Sequence, residues 1–406
     1  MNSLEQIPAA VMNGCPGKSS DLNAIKGFKM AGAKSGNFKE LISPFLKAKM
    51  EEEAQQNGKD SAGYLALERQ YVWDPLENYV TKQERRRHYE SEVTLEYEGR
   101  EVIGVERLYR RTILIEPTTV CAAHCRWCLR GQYPVKTMSK DDIVHASRYI
   151  GSEDLCGDIR EVLITGGDPL MSLPLLKFTI ENLVENAPNV RIIRIGSRVP
   201  FHDPARINEQ MCEMFSQYSD LKFEIGVNVN HAVEFWPESV ASIKRLQDVG
   251  VRFYNQHPLL KGVNDDLDSL IDLYSHLRDC DIDAHYMFHA IPMRGMSHHR
   301  TSVAKGLELA SRLSSCGEFS GRSKPRYAVL SDIGKIVLYH DTIVDHRNSD
   351  NALLLKSGFK AEDRMKWNPS WRMPDSALVD NSGYLMTWYV DGNDTSIQDL
   401  NALAAM

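Results

Sequence analysis

The sequence has no apolar run of about 18 residues, so it offers no helix able to cross a bilayer. It has no positive excess either. Its net charge is −7 over 406 residues, which argues against a nucleic-acid partner. The N-terminal stretch MNSLEQIPAAVMNGCPGKSS lacks the basic start and long apolar stretch of a secretion signal. A reducing cytoplasm is therefore expected, and oxygen-sensitive thiolates are compatible with it. Disulfide staples are not expected, because Cys15, Cys156, Cys212, Cys280 and Cys316 follow no spacing pattern in a chain this long. Also missing is a second Cys-x-x-Cys arm, or a histidine pair in its place, which a tetrahedral zinc site would require.

What is present is CAAHCRWC, residues 121 to 128, with three of the eight cysteines in eight positions. His124 lies inside the same tight loop and is badly placed to close a tetrahedron with Cys121, Cys125 and Cys128. Three thiolates and one vacancy read as a cubane iron–sulfur cluster whose fourth iron is left for a ligand that is not protein.

The first hundred residues read as an accessory region. Its stretches LISPFLKAKMEEEAQQN and LERQYVWDPLENYVTKQERRRHY favour helix and carry many charges, which predicts solvated faces. VTLEYEGREVIGV alternates about Glu98-Gly99 and predicts a hairpin. From about residue 110, apolar runs begin at TILIEP, EVLITG, VRIIRIGSR, LKFEIGVNV, VRFYNQHPLL and DAHYMFHAI. Amphipathic helical segments separate them, among them SKDDIVHASRYI with Ser139 as N-cap and Asp142 three later. Six strand–helix units predict a parallel α/β sheet, either opened as a doubly wound fold or curled into a barrel. The cysteine loop follows the C-terminal end of the first strand, where barrel active sites lie. RYAVLSDIGKIVLYHDT predicts a hairpin about Asp332-Ile333-Gly334, after which periodicity fades.

The Cys-x-x-x-Cys-x-x-Cys loop, with Trp127 before its last cysteine, resembles the signature of the radical S-adenosylmethionine (SAM) superfamily. LITGGDPL, IRIGSRVP, NVNH, YNQHPLLKGVND and HHRTSVAKG follow in the order found in its lysine 2,3-aminomutase family. The resemblance spans roughly 105 to 310. It implies a partial (β/α)6 TIM-like barrel over 106–315, a helical N-terminal region over 1–105 and a short C-terminal extension over 316–406. It also implies a 4Fe-4S cluster on Cys121, Cys125 and Cys128 that reductively cleaves SAM to a 5′-deoxyadenosyl radical. Gly166 and Gly167 would let backbone approach the methionine moiety, with Asp168 beside its amino group. Arg130 would contact the cofactor carboxylate. Ser197 and Arg198 belong to the same cofactor-binding set, and His231 and Gln256 would line the nucleoside side. Each of these residues also has an ordinary structural reading, such as a turn for the glycine pair or a cap for Asn264-Asp265.

Aminomutases of that family pair the radical with pyridoxal phosphate, whose imine lets a nitrogen migrate. By the same resemblance Tyr109 would bind the phosphate, Arg110 or Arg111 would supply a cation, and Lys335 would be the lysine that condenses with the aldehyde. Lys335 follows one glycine in a shortened loop where family members have a run of glycines. The activity implied is a 2,3-aminomutase-type isomerase acting on a small-molecule amino acid. The alternative is a radical SAM lyase, dehydrogenase or epimerase without pyridoxal phosphate. Ile291 stands where lysine-specific members hold the substrate ammonium with an aspartate, so free lysine is not the expected substrate. Arg294, with His289 and His299 nearby in sequence, raises a carboxylate or phosphate as the group bound instead. A reductant such as flavodoxin or ferredoxin is implied, and a homo-oligomer is compatible with the chain.

Overall fold

The computed structural model describes residues 29–30, 39–80, 94–129, 135–320, 323–339, 341–397 and 399–400. Seven strands lie side by side and parallel in chain order: β1 (Thr112–Thr118), β2 (Glu161–Gly166), β3 (Ile192–Gly196), β4 (Lys222–Val227), β5 (Arg252–Leu259), β6 (Ile282–His289) and β7 (Arg326–Ser331). Antiparallel strands finish both edges, Val105–Glu106 beside β1 and β8 (Gly334–Val337) beside β7. The first six parallel strands are the six apolar runs of the sequence, and the hairpin about Asp332-Ile333-Gly334 joins β7 to β8. Between strands run α3 (Lys140–Gly151), α4 (Leu173–Asn186), α5 (Glu209–Ser216), α6 (Pro237–Asp248), α7 (Leu267–Asp279) and α8 (Val303–Ser315). Ser139 caps α3 in a reciprocal box with Asp142, as its spacing predicts.

Alternation along each strand decides which side chains line the interior. On β1, Ile113 and Ile115 are at most 1% exposed and pack into the main core, while Leu114 and Glu116 turn to the other face. The sheet is curled. Lys335 on β8 and Arg194 on β3 are five strands apart, about 24 Å in a flat sheet, yet the charges of Arg194 and Glu161 both act on the Lys335 amine. Arg364, 2% exposed, draws the two edges together, donating to Leu108 O at 2.7 Å before β1 and to Ile333 O in the β7–β8 turn.

Two regions differ from the sequence reading. The stretch from Leu67 does not continue as helix: α2 (Ala62–Tyr71) stops before Pro75, and Gln70 and Tyr71 are fully buried. The charged residues Glu68 and Arg69 are half-buried, Arg69 donating to Gly262 O, and the last turn of α2 packs against the barrel. After residue 342, where periodicity fades, the chain builds an antiparallel sheet of β9 (Ile343–Arg347), β10 (Ala352–Lys360), β12 (Tyr384–Val390) and β11 (Ala377–Val379), in that spatial order. Its inward residues Leu353, Leu355, Leu385 and Tyr389 join the barrel core. A register shift between Lys356 and Lys360 breaks the two-residue repeat that would have announced β10. No helix of the described residues is long and apolar enough to cross a membrane.

Candidate active site

Beyond β1 the chain enters the cysteine loop, whose residues between the cysteines are anchored to the N-terminal region. The His124 amide donates to Leu41 O at 2.8 Å, and its Nδ1 lies 2.7 Å from Lys39 O. Arg126, 2% exposed, donates from its amide to Gln70 O at 3.0 Å and from Nε to Glu77 Oε1 at 2.7 Å. Ala123 packs with Leu46, Leu67 and Tyr71, the first on α1 (Pro44–Asn57) and the others on α2. Cys125 and Cys128 lie close enough to Cys121 for their charges to act on its thiol. Burial pushes the Cys121 thiol up, and the charges of Cys128, Asp168 and Cys125 push it the same way.

The glycine pair at the end of β2 makes room for this loop. Gly166 has φ +111°, and a Cβ on Gly167 would lie 2.3 Å from the backbone carbon of Thr119. The Gly167 and Asp168 amides donate to Thr118 O and Val120 O at 2.7 and 2.8 Å. The close approach the glycines allow in this structure is therefore to the root of the cysteine loop. Asp168 is likewise engaged by the chain itself. Its carboxylate accepts from Ser197 Oγ (2.8 Å) and from the amides of Arg198, Val199 and Leu170 (2.7, 3.0 and 3.1 Å). Burial raises its pKa against the pull of those donors. It ties the end of β2 to the end of β3.

That tie aims Arg198. Its Nη1 donates to Cys125 Sγ at 3.0 Å, and its Nη2 reaches Gln70 Oε1 at 3.2 Å and Glu234 Oε2. Asn230 Nδ2 donates to Gln70 Oε1 at 2.8 Å, and the Tyr71 hydroxyl to Glu234 Oε2 at 3.1 Å. His231 Nδ1 accepts from the Val233 amide at 3.1 Å, and burial lowers the pKa of its ring. Asn228 Oδ1, Asn230 Oδ1 and Arg198 Nε are buried and find no hydrogen-bond partner among the described residues. Unsatisfied polar atoms clustered at strand ends mark a place built for a polar ligand. Gln256, half-buried on β5, aligns with Tyr286 of β6. Arg130 lies outside the described residues.

Deeper in the barrel, the Lys335 amine sits 4.1 Å from the ring centroid of Tyr286 and 5.1 Å from that of Phe288. Among the described residues no carboxylate lies within ion-pair distance of it, whereas Arg194 nearby is paired with Glu161 at 2.7 Å. Burial and the Arg194 charge pull the Lys335 pKa down to about 8. Tyr109 adjoins Leu108 at the Arg364 seam and packs on Phe359, whose ring also flanks Gly334. The structure thus brings Tyr109 toward Lys335. It does not bring Arg110, whose exposed side chain pairs with Asp158 at 2.8 Å, and Arg111 is exposed beside it.

Residues 115–274 match the Radical SAM superfamily. Over that stretch the chain is similar to radical SAM domains. It is 35% identical over 240 residues to an Aquifex aeolicus protein carrying the lysine 2,3-aminomutase name, covering 58% of this chain and 62% of that one. It is 34% identical over 237 residues to the L-lysine 2,3-aminomutase of Methanococcus maripaludis, covering 58% of this chain and 53% of that one. The matched stretch is thus only somewhat more than half the length of these relatives. Among solved structures, a radical SAM methyltransferase from Sphaerobacter thermophilus overlaps 55% of this chain and 68% of its own at a TM-score of 0.41 and 16% identity.

The radical SAM superfamily implies SAM and an iron–sulfur cluster, and the residues present fit both. Three thiols in one loop, with a cationic donor on one sulfur, suit a cluster, and the buried Asn230 and Arg198 atoms without partners among the described residues suit a polar cofactor. Asn228 and Asn230 fall within the NVNH motif. Gln70, Tyr71 and Glu234 carried no signal, because none of them lies in a recognisable motif. Two other segments turn out to be clamps. Arg300 of the HRT segment donates to Ala290 O at 2.9 Å and Asp391 O at 3.1 Å, and Lys305 pairs with Asp265. His289, fully buried, is bonded to Tyr389 Oη at 2.7 Å and Thr301 O at 2.8 Å, and His299 is 3% exposed. Neither histidine joins Arg294 in an anion pocket, and Arg294 itself is exposed.

Proposed function

We propose that this radical SAM enzyme is a 2,3-aminomutase-type isomerase. It would act in the cytoplasm on an amino acid other than free lysine, with a 4Fe-4S cluster on Cys121, Cys125 and Cys128 and pyridoxal phosphate at Lys335. The observation carrying this reading is the Lys335 amine, held inside the barrel by Tyr286 and Phe288 with its pKa near 8 and no carboxylate partner among the described residues. Cys121, Cys125 and Cys128 would hold the cluster, which would supply one-electron reducing power toward SAM, drawn from a carrier such as flavodoxin or ferredoxin. Lys335 would hold pyridoxal phosphate, which would supply a conjugated ring to delocalise charge or spin from the substrate nitrogen.

The protein's own part is placement. Asp168 and the glycine pair hold the cysteine loop against the ends of β2 and β3, and the network from Gln70 to Glu234 closes its rear. Around Lys335, burial and the Arg194 charge favour the neutral amine, the form that attacks a carbonyl. Ile291 places an aliphatic side chain where an ammonium would need an acid. The second reading, a radical SAM enzyme without pyridoxal phosphate, is favoured by the surface pairing of Arg110 with Asp158.

Borohydride reduction of protein purified with pyridoxal phosphate separates the two. A phosphopyridoxyl group on the peptide containing Lys335 is the expected result. An unlabelled Lys335 in protein that still assembles its cluster would select the second reading.

A further inference from the structure

The cysteine loop is braced by charge as well as by shape. Arg198 is 8% exposed and its guanidinium lies 5.2 Å from the Trp127 ring centroid and 5.3 Å from that of Tyr71. One arm donates to Cys125 Sγ at 3.0 Å, and the other meets Glu234 and Gln70. Glu234 is fully buried and accepts, besides Arg198, from Tyr71 Oη (3.1 Å), Gln70 Nε2 (3.3 Å) and the amides of Asn230 (3.0 Å) and His231 (3.1 Å). Gln70 and Tyr71 belong to α2, outside the matched residues 115–274.

We propose that Arg198 and Glu234 set the reduction potential of the cluster with opposite signs, through the hydrogen bond from Arg198 to Cys125. This rests on the cluster assignment made above. Cluster potentials respond to hydrogen bonds on the ligating sulfurs and to nearby charge. A cationic N–H on a sulfur stabilises the state holding one more electron and so raises the potential. A buried carboxylate behind that cation offsets its field, and it does so strongly because little water screens the pair. Gln70 and Tyr71 position both groups, so the N-terminal helix reaches the cluster without touching it. Ser197 and Asp168 orient the backbone from which Arg198 projects, as their hydrogen bonds show.

The test is an anaerobic redox titration of the reconstituted full chain, with dithionite as the one-electron donor and the reduced cluster counted by electron paramagnetic resonance. E234Q keeps size and an acceptor oxygen but removes the charge. It should raise the midpoint so that the reduced-to-oxidised ratio at the wild-type midpoint grows about tenfold, equivalent to 59 mV for one electron. R198Q should lower that ratio by a similar factor, and R198K should lie between it and wild type. A purely structural role would lower cluster content without separating the signs. Shifts of E234Q and R198Q in the same direction, or an E234Q midpoint unchanged at full cluster content, would overturn the inference. Should R198Q not fold, E234Q alone decides it. Wild-type protein that takes up no iron and sulfide at all would overturn the cluster assignment itself, a different failure.

Discussion

The two chemical ends of this barrel are built on opposite plans. At the cysteine loop the charged side chains are bonded to one another and to the backbone, although Asn230 Oδ1 and Arg198 Nε find no partner among the described residues. His124 and Arg126 face the N-terminal region, Asp168 accepts four bonds, and Arg198 is divided between Cys125, Gln70 and Glu234. Around Lys335 there is an amine, two aromatic rings and no partner carboxylate among the described residues. A site that must hold an oxygen-sensitive cluster in one geometry gains from being over-determined. An uncommitted amine is what the proposed role of Lys335 would need.

This contrast can be broken at either end, and the largest expected effect concerns the substrate. With Ile291 in place of an acid, an ε-ammonium would be buried without its partner, a cost of about 3–5 kcal/mol or roughly 10² to 10³ in binding. Offered lysine, glutamate and arginine in parallel under reducing anaerobic conditions, the protein should not make β-lysine ahead of the other β-amino products. Efficient formation of β-lysine ahead of the others would show that Ile291 does not occupy the ammonium-binding position.

At the over-determined end, Gly167→Ala forces a Cβ to 2.3 Å from the Thr119 carbon. Overpacking typically costs about 1–3 kcal/mol, so chemical denaturation should show a loss of that size and iron content should fall with it. Wild-type stability and iron in this variant would mean that the loop root has room to move.

The smallest effect sharpens the uncommitted end. The Lys335 pKa falls from 10.5 unfolded to about 8 folded, so the folded protein binds fewer protons between those values. Burying the charged amine costs stability below about pH 8, and that cost is relieved as pH rises from there toward 10.5. Labelling of Lys335 by pyridoxal phosphate and borohydride should accordingly rise about tenfold between pH 7 and 9, as the neutral fraction does for a pKa of 8. A midpoint near 10.5 would place the amine in water.

Legibility in the sequence followed the same divide. The six barrel strands could be read because one face of each packs helices, which imposes alternation or a continuous apolar run. The cysteines were legible because cluster ligation needs them close in the chain. Gln70, Tyr71 and Glu234 were not, since they meet Arg198 only after the barrel forms. Lys335 stands out as a glycine–lysine turn, but the rings that cover it come from β6, the Arg194 charge that helps lower its pKa comes from β3, and Arg364 of α9 (Ala361–Trp367) closes the seam beside it. The C-terminal sheet stayed hidden behind the register shift in β10.

The most direct measurement is 5′-deoxyadenosine formed by anaerobically reconstituted protein given SAM and dithionite, compared between wild type and Cys125→Ala. Wild type should release it, and the variant, with one direct cluster ligand gone, should fall by more than the roughly 10- to 100-fold that losing an outer-shell partner of a metal ligand costs. Release at the wild-type rate from Cys125→Ala would contradict the assignment of the cysteine loop as the cluster site.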